Sequence, residues 1–153
     1  MSDSPPMIVD AVTHRKLAVA LFNGAWDLMD KPSRTPAEND TLMHAAHASR
    51  WHWEQCGKAV NLARGDWQIS RVYTVLGRAE PALWHARRCL EICLRDGFAD
   101  WDLAYAHEAV ARAARLAGDE AEYQKHLHLA RAAGEKIAEA DDRENFAKDL
   151  ATL

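Results

Sequence analysis

Apolar residues recur at intervals of three and four along most of the chain, which is the spacing that places side chains on one face of an α-helix. The first such stretch runs from about residue 8 to residue 30, and Lys-Pro-Ser at 31–33 follows it as a stop signal. Residues 35–38, Thr-Pro-Ala-Glu, then have the pattern of a helix start. The threonine caps, the proline takes the first helical position and the glutamate closes a capping box.

Glycines mark most of the later boundaries. A periodic stretch ends at each of four glycines, namely Gly57, Gly77, Gly97 and Gly118, and a glycine just after the last helical residue is a common helix ending. No stretch alternates apolar and polar residues for long enough to predict a β-strand. Because the connections are short, neighbouring helices are expected to run antiparallel.

The sequence therefore predicts an all-α protein of six to seven helices in a single domain spanning residues 8–153. Antiparallel helix pairs are expected at about 8–57, 58–96 and 98–138, and a C-terminal helix at about 141–151. Residues 1–7 include two prolines and are predicted to be a disordered N-terminus.

The charge pattern argues against a nucleic-acid partner. The chain has a net charge of -4, which gives no general attraction to an anionic polymer. The segment 50–95 is basic, with eight Lys/Arg and four Asp/Glu, but the acidic residues interrupt any continuous patch. The sequence contains no Gly-rich phosphate loop, no nucleophile elbow and no paired carboxylates with a supporting base. We therefore predict neither an enzyme nor a bound cofactor.

The cysteines and the start of the chain predict a cytoplasmic protein. The three cysteines, Cys56, Cys89 and Cys93, have no paired spacing, and we expect free, mostly buried thiols. The first residues lack the basic and apolar regions of a signal peptide. No apolar run approaches the roughly 20 residues of a membrane span, so no membrane partner is predicted.

Two of the boundary glycines, Gly77 and Gly118, lie 41 residues apart, at the same place in two helix–turn–helix units. A fixed period of this size is typical of stacked helix pairs. The units resemble tetratricopeptide (TPR) repeats of the long-period variety. In that family an aromatic residue precedes the turn glycine by four positions, here Tyr73, and a small residue follows it by five, here Ala82. The resemblance covers about residues 58–138 and implies a TPR-like right-handed α-α superhelix.

The chain departs from the TPR family in the first helix of the unit. Asp66, Ile69 and Ser70 stand where the family carries its Trp-Leu-Gly signature. The run from His44 to Tyr73 is also similar to a bacterial family with no assigned activity, a likeness that implies the fold alone. The first helix pair, 8–57, is then interpreted as a degenerate third unit.

The TPR resemblance implies a binding site, because such stacks present the first helix of each pair to a concave groove. The matching positions are Arg64, Trp67, Arg71, Tyr105, Glu108, Arg112 and, one turn further, Arg115. Arginine can hold a carboxylate by two parallel hydrogen bonds, and aromatic rings offer faces for stacking. We expect a protein–protein interaction or regulatory scaffold that binds an acidic peptide or a small anionic ligand in this groove. The alternative is a solvated arginine face, with Trp67 packed against a neighbouring helix.

A histidine cluster on the second helix gives the rival hypothesis, a metal-dependent or His-based enzyme. Its candidate ligands are Asp40, His44, His47 and His52, since neutral imidazole binds zinc, copper or iron. One helix face offers at most three of them, and a further ligand would come from another helix, with His14, His85 and Glu54 all open. The competing interpretation is that these histidines only pack and donate hydrogen bonds beside Trp51 and Trp53.

The tryptophan content raises a third alternative. Six tryptophans are spread over five predicted helices; most are expected in the core, and one or two at an interface. A homodimer sealed by exposed tryptophan and the terminal helix would use them in this way.

Overall fold

The computed structural model describes residues 8–153, which form seven α-helices and no β-strand. The helices are α1 (Ala11–Met29), α2 (Pro36–Cys56), α3 (Ala59–Val75), α4 (Ala79–Asp96), α5 (Asp100–Ala117), α6 (Glu120–Gly134) and α7 (Ala140–Leu150). The all-α prediction is confirmed. The predicted disordered stretch, residues 1–7, lies outside the described residues.

The helix ends follow the signals in the sequence. The capping box at α2 is present, because the Thr35 hydroxyl accepts from the Glu38 amide at 3.2 Å and the Glu38 carboxylate accepts from the Thr35 amide at 2.8 Å. Gly77, Gly97 and Gly118 have φ values of 71°, 71° and 76°. Only glycine adopts that left-handed conformation without strain, so these three turns depend on it.

Adjacent helices pack as antiparallel pairs joined by short turns. Buried serine hydroxyls bind across two of the pairs: Ser49 of α2 donates to the Ala18 carbonyl of α1, and Ser70 of α3 donates to the Ala82 carbonyl of α4, both at 2.8 Å. All four residues are almost fully buried. A small donor opposite an alanine lets the two backbones approach closely while the polar groups stay bonded.

The odd-numbered helices lie side by side, and this layer positions the candidate site. Arg64 and Arg71 of α3 contact Asp102 and Glu108 of α5, at sequence separations of 38 and 37 residues. The near-constant offset means that α3 and α5 run parallel, as expected when successive helix pairs stack. Helix α7 follows α5 in the same layer, with Phe146 against Tyr105.

Helix α5 contributes more buried residues than any other helix of the described part. Most of them are alanines, at positions 104, 106, 109, 111, 113 and 114. Their small side chains let α3, α4 and α6 pack close around α5. Cys89 and Cys93 of α4 are buried beside this core, and all three cysteines are free, as predicted.

Within residues 8–153, none of the helices combines the length and the apolar composition needed to cross a membrane.

Candidate functional site

Three of the predicted groove residues meet where α3 lies against α5. The Glu108 Oε1 atom accepts hydrogen bonds from Arg71 Nη1 at 3.2 Å and from Arg112 Nε at 2.5 Å. Glu108 is completely buried, and burial raises the pKa of its carboxyl group while the two guanidinium groups oppose that rise. Its second oxygen, Oε2, has no hydrogen-bond partner among the described residues. The two arginines thus share one buried acceptor.

The open side of this cluster is occupied by the chain's own last helix. Tyr105 donates its hydroxyl to Asp149 Oδ2 at 2.7 Å, and Arg71 Nη2 lies 3.7 Å from Asp149 Oδ1. Arg112 donates to the Asp149 carbonyl at 3.0 Å and to the Thr152 hydroxyl at 2.8 Å. Burial and the Asp149 carboxylate both raise the pKa of Tyr105, so its hydroxyl stays protonated and donates. The predicted groove is therefore filled by α7, an outcome that the sequence did not decide.

Phe146 adds an apolar contact that fixes the position of α7. The ring is buried and makes an edge contact with Tyr105, with centroids 4.9 Å apart. It also lies on the backbone of Gly134 at the end of α6. Phe146 and Asp149, three residues apart, lie on one helical face, so α7 is held by one apolar contact and one charged contact.

Arg64 and Trp67 lie at the same α3–α5 interface, where neighbouring side chains already contact both of them. Arg64 donates two parallel hydrogen bonds to Asp102, at 2.9 and 3.0 Å, and its guanidinium carbon lies 4.2 Å from the Trp101 ring. The hydrogen bonds to Asp102 raise the pKa of Arg64. The Trp67 ring lies between Trp26 and Tyr105, with centroids 5.5 and 5.4 Å away. Both residues therefore join helices together.

Arg115 lies apart from the cluster. Its guanidinium carbon is 5.7 Å from the Tyr123 ring, and it borders an open depression of about 410 Å³. The depression is also lined by Thr74, Arg112, Leu116, Thr152 and Leu153. It is the part of the predicted groove that α7 leaves uncovered.

The histidines of α2 point in different directions. His47 bonds to the Tyr73 hydroxyl of α3 at 2.8 Å, whereas His52 contacts His14 of α1 at 2.7 Å. His44 and Asp40 are exposed. In the described part of the chain, no three His, Cys, Asp or Glu side chains converge as a metal site would require. The four candidate ligands are not brought together, because they lie on different faces of α2: His47 faces α3 and His52 faces α1.

A buried cluster of Asp66 with His85 and Arg50 was not predicted. Asp66 of α3 is 2% exposed, and its two oxygens accept from His85 Nδ1 at 2.8 Å and from Arg50 Nε at 3.1 Å. The His85 ring lies 5.3 Å from the His47 ring. The sequence did contain a signal, since an aspartate sits within the apolar stripe of α3. Asp66 ties α2, α3 and α4 together by charge-assisted hydrogen bonds.

Comparison of the chain with family models, with curated proteins and with solved structures finds no match. The TPR resemblance therefore stays a prediction, and the function has to be argued from the geometry of the described residues.

Proposed function

We propose that the protein is an interaction module that binds an acidic helical segment of a partner protein across the face formed by Arg71, Tyr105 and Arg112. The observation that carries the proposal is the way this face holds Asp149. The Asp149 carboxylate accepts a hydrogen bond from the Tyr105 hydroxyl and lies near the guanidinium group of Arg71. The backbone carbonyl of the same residue accepts a hydrogen bond from Arg112. Helix α7 is, on this proposal, the occupant that the chain supplies for its own site.

The charges of this face suit a single additional carboxylate. Arg71 and Arg112 bring two positive charges, and the buried Glu108 between them cancels one. One positive charge is left over until Asp149 approaches. Burying an unbalanced charge is costly, whereas a paired and hydrogen-bonded charge is tolerated. An incoming segment with one acidic residue at this point would complete the cluster as Asp149 does.

The apolar contact adds a second requirement for the partner. Phe146 precedes Asp149 by three residues and fills the space above Gly134. A competing helix would therefore present an aromatic residue followed three positions later by an acidic one. Recognition of an amphipathic helix through such anchors is a recurring mode of peptide binding.

Helix α7 has the properties of an exchangeable occupant. It is 11 residues long, and Phe146 is its one fully buried residue. Helices shorter than about 12–15 residues are marginal on their own in water. The connection to α6 nevertheless gives α7 a high effective concentration, of millimolar order for a short link. A partner in solution would thus bind best when the contacts of α7 are weakened.

A peptide added to the full-length chain tests the proposal. The probe is a fluorescent peptide with the sequence of residues 139–153, and anisotropy measures its binding to the wild type and to Asp149→Lys. The variant weakens the occupant and leaves the site intact, so it should bind the peptide on the order of tenfold more tightly than the wild type, a difference of about 1.4 kcal/mol.

Two controls separate site binding from charge effects. Glu144→Lys reverses a charge on the exposed part of α7 and should leave binding at the wild-type level. Arg71→Glu, added to Asp149→Lys, should abolish binding. If the peptide binds none of these proteins, α7 is a structural cap and the proposal fails.

The proposal also covers the location and the assembly of the protein. Three free cysteines suit a reducing compartment such as the cytoplasm.

A second copy could supply α7 to this face and so form the homodimer considered above. Light scattering would then give a mass near twice 17.2 kDa, and Arg71→Glu would return it to the monomer value.

A further inference from the structure

An open cleft of about 350 Å³ lies between the end of α6 and the adjoining side of α7. Its apolar lining consists of Gly134, Phe146, Ala147 and Leu150. Phe146 is buried, whereas Leu150 is partly exposed and Ala147 is exposed, so the cleft is open to solvent. Its volume falls at the small end of the range of ligand sites, roughly 300–1,000 Å³. The α6–α7 cleft therefore has room for a small molecule.

Three charged side chains border the cleft, and they differ in what they already contact. Arg143 donates to the Ile137 and Ala138 carbonyls at 2.5 and 2.8 Å, so it holds the connection between the two helices. Glu135 is exposed. Arg131, near the end of α6, is also exposed, and within residues 8–153 it has no ion-pair partner, since the ion pairs of α6 lie in its first two turns. Arg131 is therefore the cation available to a ligand in the cleft.

We infer that the α6–α7 cleft binds a small aliphatic monocarboxylate of the medium-chain fatty acid class, with the carboxylate on Arg131 and the alkyl tail along the apolar lining. A guanidinium group holds a carboxylate by two parallel hydrogen bonds. The tail removes the apolar surface of Ala147 and Leu150 from water. Because Glu135 offsets one of the two arginines, the lining carries one net positive charge, which a single carboxylate balances. The inference does not depend on the peptide site, which lies on α3 and α5.

The length of the cleft sets the length of the tail. On α7 the lining extends from Arg143 to Leu150, a rise of about 10 Å, which is close to the extended length of a chain of about eight carbons. Because each buried methylene strengthens binding, an acid shorter by two carbons should bind up to about tenfold more weakly. The ligand contacts both helices, so it should also stabilise the docking of α7 on α6 through its preference for the docked state.

The test is a titration of octanoate into the full-length, isotope-labelled chain, followed by amide chemical shifts in NMR spectra. The shifts should saturate and should be largest at residues 131–135 and 143–150. Arg131→Ala should weaken octanoate binding by about fivefold, as expected for the loss of an exposed ion pair, and Arg131→Lys should retain part of the affinity. Lys136→Ala is the matched control, because it removes a positive charge from an exposed residue that does not line the cleft, and it should leave the affinity unchanged.

Two further measurements separate the contributions of the tail and the charge. Ala147→Phe fills the cleft from an exposed helix position, so it should abolish octanoate binding, and circular dichroism establishes that the variant is folded. Octan-1-ol has the same tail without the charge and should bind more weakly than octanoate. The inference is overturned if octanoate gives no saturable shift, if Arg131→Ala or folded Ala147→Phe binds octanoate as the wild type does, or if octan-1-ol binds as tightly as octanoate.

Discussion

The Phe146 ring lies so close to Gly134 that a Cβ atom at Gly134 would stand 2.5 Å from Cε1 of the ring. Real Cβ atoms do not approach a ring carbon so closely, and both groups belong to packed helices. The absence of a side chain at the end of α6 is therefore what allows α7 to dock. A substitution at Gly134 can therefore disturb the docking of α7 and leave the contacts among α1 to α6 unchanged.

Gly134→Ala should release α7 and leave α1 to α6 in place. The added methyl group collides with Phe146, and overpacking of this kind costs roughly 1–3 kcal/mol, against a gain of up to about 1 kcal/mol from better helix propensity. Hydrogen exchange should accelerate across residues 140–150 and remain unchanged in α5. Gly24→Ala is the matched control, because nothing lies within 4 Å of its added Cβ. An unchanged exchange rate in α7 would contradict this view of Gly134.

Removal of the buried charge at Glu108 should destabilise the protein. Glu108→Leu leaves Arg71 and Arg112 facing each other without their shared acceptor, and breaking a buried ion pair costs roughly 3–5 kcal/mol. Urea denaturation measures the loss. Adding Arg71→Met should restore part of the stability, because one unpaired charge is then removed. If the double variant is less stable than Glu108→Leu alone, the charge argument fails.

The bond between Tyr105 and Asp149 should contribute a measurable coupling free energy. Tyr105→Phe keeps the ring contacts with Trp67 and Phe146 and removes only the hydroxyl. The expected loss is about 1.5–3 kcal/mol, as for hydrogen bonds to charged groups. A double-mutant cycle with Asp149→Asn should return an interaction energy above about 0.5 kcal/mol. An additive cycle would show that the hydroxyl does not hold α7.

Local signals in the sequence were sufficient for the helices and their ends. The capping box at Thr35 and the turn glycines at 77 and 118 act within a few residues, so a single chain reveals them. The TPR resemblance also placed Arg71 and Glu108 on two helices that line one groove, but it assigned both to a ligand and did not predict that they bind each other.

Contacts between distant segments could not be predicted from the sequence. The sequence predicts a C-terminal helix at about 141–151 but not what that helix contacts, and the hydrogen bond from Tyr105 to Asp149 joins residues 44 positions apart. A glycine inside a helix ordinarily lowers its stability, but at Gly65 of α3 a Cβ would lie 2.7 Å from Cδ of Arg50. The sequence alone does not distinguish a glycine that allows two helices to approach closely from one that only weakens a helix.

A buried pair of histidines connects α5 to α6. His107 Nδ1 lies 3.0 Å from His126 Nδ1, and the two residues are 9% and 5% exposed. Burial lowers the pKa of His107 to about 4, and the charges of His126 and Lys125 act in the same direction. Burial also lowers the pKa of His126. Glu122, which lies 3.5 Å from His126 Nε2, opposes that shift, whereas Lys125 and Arg87 add to it.

Acid should therefore weaken the contact of α5 with α6 as the pH falls below about 6.5. The pKa of His107 in the folded chain lies below its unfolded value of about 6.5, so between about pH 6.5 and pH 4 the unfolded chain binds more protons. The free energy of unfolding is then full above pH 6.5 and falls towards pH 4, by roughly 3 kcal/mol. Urea denaturation across this range measures the slope. His107→Gln should flatten it, and His128→Gln, an exposed histidine on α6, should not. If the His107 variant keeps the wild-type slope, the acid sensitivity belongs to other groups. The variant has no imidazole at position 107 to take up a proton on unfolding, so this residue can no longer contribute to the slope.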